Sequence, residues 1–329
     1  MKNATARVVI ALVLGLLLPL SHSEAGQAKK MSRIGVLHGS SPLSRRTDNE
    51  ALRDGLRELG WVEGENIGIE WSYAEGNLDR LPDLAAELIR HKVDVIVVSG
   101  YTAIRILKNA TQTIPVVMTI VGDPVTSGFV NSFARPGGNI TGLTSLEWEL
   151  SGKRLELLKE AFPKVSRVAV LGQPDAPGTV EQFKVAQIAA QELGVQFQGL
   201  GARTPDDLET AFKQATGGRA GALMVLGNLL FNANRQRIVN LVAKARLPAM
   251  YNERVYVEAG GLMSYAANLT DIFRRAAIYV DKILKGATPS DLPIEQPTKF
   301  DFVINLKTAK QLGVIIPPDV LRWADKVIK

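Results

Sequence analysis

The sequence has no cysteine at all, only three histidines, and 6% aromatic residues among 329. Without cysteine there is no disulfide, no thiolate nucleophile and no cysteine zinc site, so the fold has to be held by its core, as a chain of this length can manage. A lipid-anchored form is not expected either, because lipidation at a processed N-terminus requires a cysteine. His22, His38 and His91 are too few and too scattered for a histidine metal site. G-x-S-x-G, G-x-x-x-x-G-K-[ST] and a G-x-G-x-x-G after the first strand pattern are all missing, which argues against nucleophile-elbow hydrolases and nucleotide-dependent enzymes. No metal, no cofactor and no catalytic residue is expected.

Long runs of one charge are also lacking. The formal net charge is +6, of which Lys2, Arg7 and Glu24 belong to the first 25 residues. About +5 is left for the remainder, a modest excess. The basic pairs Lys29-Lys30, Arg45-Arg46 and Arg274-Arg275 stand alone and read as solvated surface, so no nucleic-acid partner is expected. After residue 25 no apolar stretch is long enough to span a membrane.

Residues 1–25 follow a different pattern. Lys2 and Arg7 form a basic start, 8–20 is a nearly unbroken apolar run containing Pro19, and Ser23 and Ala25 are small residues at cleavage positions. A run this short, with these flanks, is expected to be a signal peptide cleaved between Ala25 and Gly26, placing the remaining chain in the periplasm.

From residue 31 onward, short apolar β-branched runs alternate with segments of helical apolar spacing. Strands are predicted at 33–37, 67–71, 93–98 and 115–121, then at 168–171, 195–198, 222–226 and 248–251. Leu52, Leu56 and Leu59 share one helical face before Gly60, as do Leu81, Leu84, Ala85 and Leu88 in the next helix. Continuous apolar strands between amphipathic helices imply a parallel sheet covered on both faces, and the cycle running twice implies two sheets meeting near 140–150. Further strands at 261–265 and 300–304 can join either half.

In such sheets ligands sit beyond the carboxyl ends of the strands. Here those are loops 38–42, 99–102, 122–125, 172–178, 227–232 and 251–254. His38 ends the first strand, and Ser99 to Thr102 offers hydroxyls and N–H groups. Asp123 suits either a ligand ammonium or the N-cap of a following helix, with Pro124 at its first position. Asn252 and Glu253 are expected to face Asp123 across a cleft. Tyr101, Phe231, Tyr251 and Tyr265 can stack on a ligand ring or pack in the core. Trp61, Trp71 and Trp148 are read as packing, and His91 as a helix cap.

Several strings resemble a known family. They are Gly122-Asp123-Pro124-Val125, Ala134-Arg135-Pro136-Gly137-Gly138-Asn139-Ile140-Thr141-Gly142, the block from Asp281-Lys282-Ile283-Leu284-Lys285-Gly286 to Asp291-Leu292-Pro293, and Glu295-Gln296-Pro297-Thr298-Lys299-Phe300 with Ile304-Asn305-Leu306-Lys307. In this order they resemble the ABC transporter substrate-binding proteins of the family that includes tryptophan and tyrosine importers.

The resemblance implies the type 1 periplasmic-binding fold: α/β, two doubly wound parallel-sheet lobes joined by a three-crossover hinge. It assigns 31–143 plus 262–292 to lobe 1 and 144–261 plus 296–329 to lobe 2. It carries ligand contact to Ser40, Ser41, Tyr101, Thr102, Asp123, Asn228, Asn252 and Glu253, with Tyr265 on the hinge side. The loop Gly227-Asn228-Leu229-Leu230-Phe231 departs from the more polar loop of the amino-acid importers, so their ligand does not transfer directly.

The expected function is capture of a small amino-acid-like, aromatic or heterocyclic molecule by a monomer that docks on a membrane permease of an ABC transporter. A periplasmic ligand-sensing module for a membrane receptor is the alternative. An enzyme of doubly wound fold lacks the required motifs, and a signal peptide stands where a transcription factor would carry its DNA-binding helices.

Overall fold

The computed structural model describes residues 31–329, so the expected signal peptide at 1–25 and its cleavage point lie outside the described residues. The first sheet contains β1 (Ser32–His38), β2 (Ile67–Tyr73), β3 (Val95–Ser99), β4 (Val116–Met118) and β5 (Ile140–Gly142). Its order is β2-β1-β3-β4-β5, and every pairing is parallel. β3 is buried along its whole length, as a strand covered on both faces must be.

The second sheet contains β6 (Arg167–Gly172), β7 (Gln196–Gly201), β8 (Ala222–Val225), β9 (Ala249–Tyr251), β10 (Met263–Ala267), β11 (Phe300–Asn305) and β12 (Lys326–Ile328). The order is β12-β11-β10-β9-β8-β6-β7. Only β10 and β11 pair antiparallel. β10 leaves the sheet at its hinge edge and β11 re-enters there from the other lobe, so the two have to run in opposite directions.

One expected boundary moves. Residues 262–267 were assigned to the first lobe, but Met263 pairs with both Met250 of β9 and Ile304 of β11, which puts β10 inside the second sheet. The return to the first lobe begins at Asn268, whose side-chain oxygen caps helix Leu269–Leu284 by accepting from Asp271 N at 2.8 Å. A strand's own periodicity does not name its neighbours, so this pairing is not written in residues 262–267 themselves.

Helix Leu269–Leu284 then lies against helix Arg46–Glu58. Their approach depends on Gly55, where a β-carbon would come 2.7 Å from the carbonyl oxygen of Arg274. A mid-helix glycine costs about 1 kcal/mol against alanine. The seam it permits buries Leu52, Leu56, Phe273 and Ala276 against β1 and β3, and each large side chain there contributes about 1.5–3 kcal/mol.

The chain passes between the lobes in three neighbouring stretches. Two of them run side by side: Leu143 bridges Glu295, Thr144 N donates to the Glu295 carbonyl at 2.9 Å, and Glu295 N donates to the Gly142 carbonyl at 3.0 Å. In the third, Asn268 N donates to the Lys299 carbonyl at 2.9 Å. Among the described residues no helix is long and apolar enough to cross a membrane.

Candidate ligand-binding site

Loops after β1, β3 and β4 of the first lobe and after β6, β8 and β9 of the second line one cavity of about 350 Å³. All six loops expected from strand order contribute to it. Its volume lies at the small end of the roughly 300–1,000 Å³ typical of small-molecule sites.

The first-lobe wall is built on Gly100. Its φ of +92° turns the chain sharply between β3 and helix Tyr101–Ala110, a conformation glycine takes at little cost. No side chain caps that helix, so the positive end of its dipole and its free N–H groups open toward the cavity where Tyr101 and Thr102 line it. Arg105, one turn on, also lines the cavity and makes no ion pair among the described residues. Tyr101 packs at 5.1 Å against Phe129, which fixes its ring.

The second-lobe wall is more polar. Asn228 caps helix Leu229–Ala233 through Leu230 N at 2.7 Å, and its amide donates to Gln173 Oε1 at 2.7 Å. Thr179 Oγ1 and Asn252 Oδ1 are buried at the cavity with no hydrogen-bond partner in the protein. Buried polar atoms rarely stay unpaired, so these two ask for a partner from the cavity itself.

Charge is arranged unevenly around the space. Arg45 of the first lobe lies 3.2 Å from Asp48 and 3.3 Å from Glu253 of the second. One cation thus faces two carboxylates, all with nearly buried side chains. Burial works against the Arg45 cation, but Glu253 and Asp48 outweigh it and hold the pKa above its ordinary value. Burial pushes the Asp48 carboxyl up, with Arg45 pulling the other way.

Glu147, also at the cavity, is bound by the fully buried Arg154 at 2.9 Å and 3.2 Å, and burial raises its pKa. Arg154 Nε is in turn held by the Tyr265 carbonyl at 2.7 Å.

Of the nine residues expected at the site, Ser40, Tyr101, Thr102, Asn228, Asn252 and Glu253 line the cavity. Ser41 does not. It caps the turn to Ser44 and lines an adjoining hollow of about 190 Å³.

Asp123 is also absent from the lining. Its carboxylate accepts from Val125 N at 2.8 Å and Thr126 N at 3.2 Å, capping a turn rather than a helix, since no helix follows Pro124. Tyr265 stacks at 5.8 Å on Phe300 and packs edge-on against Phe302, away from the cavity.

Phe231 is fully buried, and Tyr251 stacks on Tyr256 at 4.8 Å, so both belong to the core. His38 is buried too. It bonds Ser99 Oγ and Asn49 Oδ1, each at 2.9 Å, and supports the β3 loop from behind.

Sequence reasoning missed Arg45, Glu147, Thr179 and Trp148. The pair Arg45-Arg46 reads as surface, and Arg46 is; Arg45 is 6% exposed. Trp148, read as packing, sits in the first crossing between lobes, and its ring lines the cavity. Among the described residues no group of three or more histidine, cysteine, aspartate or glutamate side chains is placed to hold a metal.

A family model described as ABC transporter substrate binding protein matches residues 34–328. The chain is 25% identical over 287 residues to a tyrosine-binding protein of Clostridioides difficile (strain R20291), covering 87% of this chain and 82% of that one. Among solved structures it is similar to a conserved domain protein of Vibrio cholerae, with a TM-score of 0.85 and 28% identity over 91% of this chain and all of that one. It is also similar to an ABC domain from Streptococcus pneumonia in complex with L-Trp, with a TM-score of 0.84, 25% identity and the same two coverages. The two-lobe α/β architecture, the cavity between the lobes and the match along almost the whole described chain agree, and the protein belongs to the ABC transporter substrate-binding protein family.

Proposed function

We propose that this protein captures a zwitterionic aromatic amino acid between its lobes and presents it, unaltered, to the membrane permease of an ABC importer, acting in the periplasm after removal of residues 1–25. The observation that carries this reading is the split of charge around the cavity. Arg45, Asp48 and Glu253 together hold one carboxylate more than they neutralise, which suits an ammonium. The uncapped start of helix Tyr101–Ala110, with Arg105 beyond it, suits a carboxylate. Trp148, Tyr101, Ile120 and Leu229 offer an apolar surface for a ring. The tyrosine- and tryptophan-linked relatives point the same way.

In this proposal Ser40, Tyr101, Thr102, Asn228, Asn252 and Glu253 contact the ligand, while Ser41, Asp123 and Tyr265 support the site from outside. The moving bodies are 31–143 plus 268–292 and 144–267 plus 296–329, hinged at the three crossings.

Calorimetric titration with L-tryptophan, L-tyrosine, tryptamine and indole-3-propionate tests the reading. Tryptamine lacks the carboxylate and indolepropionate the amine, and each is expected to bind at least about 30-fold more weakly than tryptophan. Equal binding of all four, or of none, refutes it. Mass spectrometry of the released ligand is expected to return it unchanged.

A further inference from the structure

Arg45 spends its guanidinium on three partners. Nε donates to Ser40 Oγ at 3.3 Å, Nη1 to Asp48 Oδ2 at 3.2 Å, and Nη2 crosses to Glu253 Oε1 at 3.3 Å. Asn232 Nδ2 donates to the same Glu253 oxygen at 2.8 Å, and Asn232 is itself held by the Tyr256 hydroxyl at 2.9 Å. One oxygen of Glu253 is therefore doubly engaged. Among the described residues no donor reaches the other, Oε2, although Glu253 lines the cavity.

The pair has a second property. Besides the ligand cavity, two outer hollows of about 190 and 420 Å³ lie along the junction of the lobes, and Arg45 and Glu253 are the two residues common to the lining of all three. The ion pair is thus the partition between the ligand space and the outer hollows. Beside it, Leu229 of the second lobe enters a notch in the first, where a β-carbon on Gly39 would come 2.6 Å from its side chain.

We propose that Arg45 is a specificity-determining residue of this site: reaching from the first lobe, it joins Asn232 in fixing one oxygen of Glu253 and leaves the other free, so that the seat for a ligand's cationic group is completed when the lobes meet. The inference rests on the amino-acid reading above. Its chemistry is that of a charge-assisted hydrogen bond made at a nearly buried carboxylate, where such bonds are stronger than at an exposed one. A ligand without the cation fills the apolar part of the cavity but gains nothing from this seat, so selectivity for an amine depends on a residue of the opposite lobe.

The test compares the affinity ratio of L-tryptophan to indole-3-propionate in the wild type, R45Q, R45K, E253Q and the R45Q/E253Q double variant, with thermal melts to confirm folding. The wild type is expected to favour the amine by at least about 30-fold. R45Q and E253Q are each expected to reduce that ratio below about threefold, the double variant is expected to be no worse than either, and R45K, which keeps the charge but loses the fork, is expected to fall between. If R45Q does not fold, the same comparison is made with R45K and E253Q, where R45K must lower the ratio. A wild-type ratio retained in R45Q, or retained in R45K when R45Q is unfolded, or losses that multiply in the double variant, overturn the inference alone. A wild type that shows no amine preference overturns the amino-acid reading with it.

Discussion

The indole of Trp148 rests directly on the backbone of Gly178. A β-carbon at Gly178 would come 2.7 Å from Trp148 Nε1, and Gly122 of the first lobe closes on the same ring, where a β-carbon would come 2.4 Å from it. One aromatic residue in the crossing between lobes is therefore gripped by a glycine from each of them.

Gly178→Ala is expected to force the ring aside, lowering stability by the roughly 1–3 kcal/mol that overpacking costs, and to weaken binding of a ligand that rests on the displaced ring. In the wild type, Trp148 emission is expected to change on titration with ligand. Fluorescence titration of both proteins checks this; unchanged affinity in the variant would show that the ring does not govern closure.

Asp123→Ala removes the cap on Val125 N and Thr126 N. The expected cost, that of losing ordinary hydrogen bonds, is about 1 kcal/mol of stability, with ligand affinity changed less than about threefold. Chemical denaturation together with calorimetry separates the two effects. A large loss of affinity at unchanged stability would return Asp123 to the binding site.

His38 gives a pH dependence. Burial, reinforced by the Arg45 charge, lowers its pKa from 6.5 to about 3. The unfolded chain takes up a proton below pH 6.5 that the folded protein refuses until about pH 3. Its stabilisation is therefore complete above that window and is lost as pH falls through it, by up to about 1.4 kcal/mol per pH unit. His38→Gln is expected to lose this slope. Denaturant midpoints at pH 7 and pH 5 measure it, and an identical slope in the variant would sink the assignment.

Arg154→Met leaves the Glu147 carboxylate buried without its partner. Removing one member of a buried ion pair typically costs about 3–5 kcal/mol. The additional change Glu147→Gln is expected to recover part of that loss, as read from denaturant midpoints. Equal stability of all three proteins would mean that water already satisfies Glu147.

What the sequence revealed of the site, and what it hid, divides along a physical line. The six loops that line the cavity were legible because strand order alone puts them at one end of each sheet. Arg45 was not, since its burial depends on Glu253, 208 positions away in the chain. Trp148 was hidden for the same reason, its neighbours Gly122 and Gly178 lying in different lobes. For Asp123 the local pattern allowed a ligand contact and favoured a helix N-cap, whereas its contacts cap a turn at Val125 and Thr126, because no helix follows Pro124. β5 and β12 went unrecognised because Ile140-Thr141-Gly142 and Lys326-Val327-Ile328 lie in no continuous apolar run, whereas β4 and β9, equally short, do.

The late return of helix Leu269–Leu284 to the first lobe also sets a timetable for biosynthesis. β4 emerges around residue 117, but the helix that covers β1 and β3 follows about 150 residues later, on the order of ten seconds at 5–20 residues per second. Throughout that interval Leu52 and Leu56 have only the first sheet to pack on, without the cover of Phe273 and Ala276. Whether the chain folds during synthesis or after export, the first lobe keeps an uncovered apolar face until the chain is complete past Leu284.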